Sequence, residues 1–155
     1  MSASNVDSRI EGFVTVRLGD ACFGAPVLQV QDVVAEAPLN RVPQAPPEVA
    51  GVMNLRGRIV TAIDMRRRLG LPPQDVARAR VSVVVEHGAE LYALIVDDVG
   101  DVVWMSRADR EAPPVTLSAH WRALIAGLHR MEDRLLLILD VEAVLTLSPQ
   151  QAQAA

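Results

Sequence analysis

The sequence predicts a mainly β protein in which one small barrel unit is used twice. Val14–Val34 lies without a gap over Val83–Val103, so that Val14, Val16, Gly19, Val30, Asp32, Val33 and Val34 meet Val83, Val85, Gly88, Val99, Asp101, Val102 and Val103. A second gapless register sets Gly51, Arg58 and Asp64 on Gly127, Arg134 and Asp140, with the apolar run Ile59–Ile63 on Leu135–Leu139. The period is too long for a solenoid and suits a barrel used twice. Composition agrees: hydrophobic residues are 50% of the chain but aromatics only 3%, so the core is built from branched aliphatics, which pack well on pleated sheets. With 155 residues the chain is large enough for one domain, expected over 10–147. It divides into subdomains at about 12–75 and 80–147, with flexible tails at 1–9 and 148–155.

The elements follow in order. Val14, Val16 and Leu18 alternate with Thr15 and Arg17, and Gly19-Asp20 turns the strand back into Ala21–Val27, a β-hairpin. Val30–Val34 continues apolar until Pro38, Pro43, Pro46 and Pro47 impose a loop over 35–47. Gly51–Leu55 and Ile59–Ile63 form a second hairpin about Arg56-Gly57, with Gly57 taking the positive φ. Met65–Leu69 makes a brief helical turn whose Arg66, Arg67 and Arg68 read as a solvated face. In the second copy Val81–Val85 turns at His87-Gly88 and returns along Leu91–Val96, apolar enough to be covered on both faces. Val99–Met105 leads to a long connection over 106–120, and Leu124–Met131 with Arg134–Leu139 forms the last hairpin about Glu132-Asp133. Val141–Leu147 closes as a short helix or strand. The connection at 71–80 is short and contains two prolines, so the two units should pack rather than tumble.

Several function classes are excluded. A formal net charge of -4 argues against a general affinity for nucleic acid or anionic lipid, and a small nucleic-acid-binding barrel would also need stacking aromatics. No apolar run reaches the ~20 residues of a spanning helix, and the N-terminus has no signal-peptide pattern, so the expected location is cytoplasmic, without direct membrane insertion. His87, His120 and His129 are far apart and lack partners at ligand spacing, so no metal site or cofactor is expected. Asp97, Asp98 and Asp101 read as turn hydrogen-bonding carboxylates, and the single cysteine, Cys22, as a small buried hydrophobe. No nucleophile elbow, phosphate loop, dinucleotide fingerprint or Cys/His pair is present, so no catalytic residue is expected and the chain is not read as an enzyme. Binding surfaces remain. Trp104 and Trp121 read as packing residues, with Trp121, just after a loop, the candidate partner anchor.

Asn54-Leu55-Arg56-Gly57 followed by Ile63-Asp64-Met65-Arg66 resembles the CheW-like family of chemotaxis coupling proteins. Phe23-Gly24, Val30-Gln31-Asp32-Val33, Leu94-Ile95-Val96-Asp97, Asp101-Val102 and Asp133-Arg134 extend the likeness over nearly the whole chain. The resemblance implies two SH3-like five-stranded β-barrel subdomains with short helical segments. It implies an adaptor that binds the regulatory domain of a CheA-type histidine kinase and the cytoplasmic tip of chemoreceptors, can self-associate within receptor arrays, and reaches the membrane only through those partners. A scaffold of a non-flagellar chemosensory pathway, controlling pili or a cyclic dinucleotide, is the alternative. Carried over residue by residue, the family's partner-binding groove falls on Val30, Asp32, Val33, Arg56, Val81 and Val102. Departures from the usual pattern are Asp98 where Gly is common, Asp32 where a longer acid is common, and His129-Arg130 in place of small residues.

Overall fold

A computed structural model describes residues 10–35, 38–73 and 80–146; the expected tails and most of the 71–80 connection lie outside the described residues. Ten strands run β1 (Ile10–Leu18), β2 (Ala21–Pro26), β3 (Val30–Ala35), β4 (Val49–Leu55), β5 (Arg58–Asp64), β6 (Val81–His87), β7 (Glu90–Val96), β8 (Asp98–Ser106), β9 (Ile125–Arg130) and β10 (Leu135–Leu139). Three short helices, α1 (Met65–Arg68), α2 (Ala119–Arg122) and α3 (Val141–Leu145), join them. Asp64 and Asp140, which the repeat places together, cap α1 and α3: Asp64 accepts from the Arg66 and Arg67 amides and Asp140 from the Ala143 amide.

The strands form two five-stranded sheets, in the orders β8-β1-β2-β10-β9 and β3-β6-β7-β5-β4. Matching each strand to its repeat partner makes these two orders identical. Each sheet takes its first hairpin from one copy and its other three strands from the other copy. The expected division at 75–80 therefore does not separate the sheets: it falls between β5 and β6, which both belong to the second sheet. The copies have exchanged strands, and they join through the parallel pairs β2 with β10 and β5 with β7 and the antiparallel pairs β1 with β8 and β3 with β6. Bulges repeat as well. One lies on β3 between Val30 and Asp32 and its twin on β8, where Val14 meets Val102 but Val16 meets Val99. Both sheets are open, since their terminal strands are not hydrogen-bonded to one another. Single bridges, Asn40 to Val52 and Glu111 to Leu128, lay the connecting loops against β4 and β9 in the same way.

Side chains alternate between two interiors. Val16, Leu18, Phe23, Val83, Val85, Leu94, Val96, Leu137 and Leu139 meet in a core shared by the sheets, while Leu91, Ala93 and Ile95 turn with Met53 and Val60 into an interior belonging to the second sheet. The expectation that Leu91–Val96 is covered on both faces holds. Phe13, Cys22, Leu136 and Ile138 form the smaller interior of the first sheet, so Cys22 is the buried hydrophobe expected. His129 is buried in that sheet too, its ring 5.9 Å from Phe13.

The Arg66–Arg68 run is not a solvated face. Only Arg67 is exposed. Arg66 grips Asp97 with both Nε (2.8 Å) and Nη2 (2.6 Å), and Asp97 also accepts the Gly19 amide at 2.8 Å. Asp97 lies where the chain crosses from β7 in the second sheet to β8 in the first, so this largely buried bidentate pair joins both sheets at the crossover. Arg68 reaches across to donate to the carbonyls of Ala143, Val144 and Thr146, closing the C-terminus of α3. The solvated reading fails because successive helical side chains point about 100° apart, so a run of three cannot share one solvent face.

Two stability predictions follow from these groups. Asp97→Asn leaves the Arg66 guanidinium buried without its counter-ion and should cost about 3 kcal/mol in chemical denaturation, whereas Asp98→Asn, at an exposed pair, should cost less than about 1 kcal/mol. Burial, reinforced by Arg110, holds His129 below its ordinary value of 6.5. Below pH 6.5 the unfolded chain therefore binds a proton that the folded chain refuses, so stability falls as the pH drops from 6.5 toward the lowered folded value. His129→Phe should remove that part of the slope in urea titrations at stepped pH.

Candidate functional site

The β4–β5 turn places both of its central residues at positive φ, Arg56 at 53° and Gly57 at 85°. That is the pattern of a type I′ turn, in which Asn-Gly is favoured. Expectation gave the left-handed conformation to Gly57 alone. An arginine held there costs about 1 kcal/mol of backbone strain, so the position is not filled for local stability. The Asn54 Oδ1 accepts the Gly57 amide at 3.0 Å and steadies the turn.

Arg56 reaches the other end of the same sheet. Its Nη1 lies 2.7 Å from Asp32 Oδ2, and β3 and β4, at the two edges of the sheet, are thereby tied by side chains where no ladder joins them. The bulge on β3 sets Asp32 at this position. The Val33 amide donates to Asp32 Oδ1 at 2.8 Å. The Arg56 guanidinium, then the Val33 amide, hold the Asp32 carboxyl below the ordinary carboxylate value. The arginine side chain remains 75% exposed, so most of its donor fork faces solvent.

Of the six residues expected in the groove, the structure brings Asp32, Val33 and Arg56 into one cluster. Val33 is 43% exposed beside the ion pair. Val30 and Val81 are half-buried against the rim of the shared core. Val102 stands on β8 in the other sheet and is the repeat twin of Val33, with the same 43% exposure. β6, which carries Val81, approaches β8 across the shared core. Val33 and the ion pair thus lie on β3, an edge strand of the second sheet, and Val102 lies on β8, an edge strand of the first.

Of the two tryptophans, Trp121 packs as expected and Trp104 does not. Trp121 donates its indole N–H to the Leu69 carbonyl at 2.8 Å and packs 5.4 Å from Phe23, so it latches α2 to the core. Trp104 is 64% exposed and lies flat over Gly12, where a Cβ would come within 2.6 Å of the ring. It pairs across the ladder next to the Val102 position and extends the exposed apolar strip of β8. The sequence signal for it was weak: its repeat counterpart is Ala35, so the period gave no reason to single it out.

Among the described residues no group of three or more His, Cys, Asp or Glu could hold a metal ion, and no helix is long and apolar enough to cross a membrane. A family model described as the CheW-like domain matches residues 12–148. The chain belongs to the CheW-like domain family. It is 30% identical over 133 residues to the chemotaxis protein CheW of Helicobacter pylori, spanning 86% of this chain and 80% of that one. Against the chemotaxis protein CheW of Bacillus subtilis it is 30% identical over 131 residues, 84% of this chain and 83% of the relative. A crystal structure of the scaffolding protein TtCheW from Thermoanaerobacter tengcongensis superposes with a TM-score of 0.80 over 89% of each chain at 24% identity, which fixes the shared CheW-like fold.

In the Arg56→Asn variant the strongest influence on Asp32 is gone while the Val33 amide remains. Its carboxyl should therefore titrate closer to the ordinary value, without fully reaching it, in a carbon-detected NMR titration.

Proposed function

We propose that this chain is a non-enzymatic chemosensory adaptor that couples chemoreceptors to a CheA-type histidine kinase by protein–protein binding, in the cytoplasm. The observation that carries the reading is the exposed Asp32–Arg56 pair on a strained turn, flanked by Val33 on the same edge and matched by Val102 on the edge of the other sheet. Exposed aliphatics on edge strands suit the apolar face of an amphipathic helix such as a receptor tip, and the remaining donors of Arg56 suit a carboxylate on that helix, fixing register. The family and the names of its relatives favour this partner class. The kinase's regulatory domain would take a separate face, so that one rigid body holds both partners. Contacts of standard size would bury roughly 800 Å² on each side, with arginine at the centre as an enriched hot-spot type.

A second reading keeps the mechanism and changes the pathway. Over 83 residues the chain is 35% identical to the protein PilI of Pseudomonas aeruginosa, 54% of this chain and 47% of that one. A pilus-linked receptor would then replace the flagellar one.

Titration calorimetry with receptor signalling fragments from the same organism tests the proposal. Arg56→Asn and Val33→Lys should each weaken binding by about tenfold or more. The thermal midpoint of Arg56→Asn should be unchanged or slightly raised, because Asn suits the left-handed turn better than Arg. Unaltered binding in both variants would remove this surface from the interface, and a tight complex only with a pilus-pathway receptor would select the second reading.

A further inference from the structure

The strand exchange gives the two sheets equivalent mouths, and only one of them is filled. In the second sheet the mouth between β3 and the β4–β5 turn holds Asp32, Arg56, Leu55 and, beneath them, Leu91. The repeat places Asp101, Glu132, Met131 and Cys22 at the same positions in the first sheet. The bulge that sets Asp32 recurs under Asp101, held by the Thr15 hydroxyl, which donates to the Asp101 carbonyl at 2.7 Å. The cation that should face it is missing, because Arg56 is replaced by an acid and two leucines by smaller or more flexible side chains. What results is an open cleft of about 440 Å³, whose lining includes Thr15, Cys22, Asp101, Val103 and Met131 together with the charged Arg17, Asp98 and Arg134.

The charges around the cleft leave Asp101 without a match. Arg17 pairs with Asp98 and Arg134 with Asp133, each at 3.6 Å, and among the described residues no ion pair reaches Asp101. Neither Glu132 nor Asp133 takes the positive φ that aims Arg56 inward, so the turn does not close the mouth from its own side. Met131 on one wall is a side chain that adapts to irregular partners.

We propose that this mouth is a second docking site and that its occupant is an arginine presented on a turn of a partner protein, completing from outside the clamp that Arg56 completes from within. The guanidinium would bridge Asp101 while its methylene stem lies on Val103 and Met131 above Cys22. The site lies in the first sheet, away from the Asp32–Arg56 pair but on the same strand, β8, as Val102, and it does not rest on the receptor-binding reading.

The test uses the full isotope-labelled chain and a cyclic peptide carrying Asn-Leu-Arg-Gly-Arg-Ile, the sequence of this chain's own Asn54–Ile59 turn, followed through amide shifts. Saturable shifts confined to Thr15, Asp101, Val103 and Met131 are expected. Binding should weaken by about tenfold when the first arginine of the peptide is replaced by the uncharged isostere citrulline, and equally in Asp101→Asn. No saturable shift, an undiminished response to the citrulline peptide, or shifts centred on Asp32 would overturn the proposal.

Discussion

Neither sheet can be completed by one half of the chain. The first hairpin of each copy finds its remaining strands only in the other copy, through the parallel pairs β2 with β10 and β5 with β7 on one side and the antiparallel pairs β1 with β8 and β3 with β6 on the other. Everything else depends on this exchange. It makes the two units one body with a continuous core between them, and it sends the chain across from one sheet to the other twice. The crossings are not equivalent. Between β7 and β8 the crossover carries Asp97, gripped by Arg66 and by the Gly19 amide, whereas the matching residue between β2 and β3 is Leu28, 93% exposed. A bidentate pair with little access to water is sensitive to geometry, so it fixes how the sheets meet at one end. Arg68, on the same helical turn, adds a second tie by capping a helix that belongs to the other copy. These bonds tie the two sheets together beyond their shared core.

The two halves share a backbone more faithfully than they share side chains. The helix caps at Asp64 and Asp140, the bulges and the loop bridges all recur. The halves part company at the surface, with Arg56 against Glu132 and Ala35 against Trp104, and also inside, with Asp97 against Leu28, Leu91 against Cys22 and Met53 against His129. Conserved geometry with divergent surface chemistry is how a duplicated unit can meet two unlike partners, since a bulge aims whatever side chain it carries. At Arg56 the local rule for a type I′ turn is broken outright, and breaches of that kind concentrate at functional positions.

Much of the fold was legible from the residues. Alternation, turn residues and the two gapless registers gave the four tight hairpins, the two-faced burial of Leu91–Val96 and the ten-strand inventory. Which copy each strand completes was not legible. Because the repeats carry the same apolar pattern, pairing within a copy and pairing between copies satisfy the same local preferences, and only the connections between sheets decide. The arginine run was misread for a related reason: charge in sequence says nothing of a buried carboxylate 31 positions away. Of the candidate site, Arg56 could be singled out as a polar residue with little structural work to do at a hairpin tip, whereas Asp32 came from the family resemblance, and their direct contact joins the two edges of a sheet. Trp104 and Trp121 show the limit of residue type as a guide, since their exposure is set by Gly12 and Leu69, which lie far off in sequence.

The central claim is that one rigid, non-catalytic body joins receptor to kinase. The most direct measurement is the autophosphorylation rate of the purified CheA-type kinase of the same organism, with a receptor signalling fragment, in the presence and absence of this chain. The account predicts a stimulation that requires receptor, kinase and this chain together, and that is lost when Arg56 is changed while the protein stays folded. A rate unaffected by the chain, with no co-sedimentation with either partner, would contradict it.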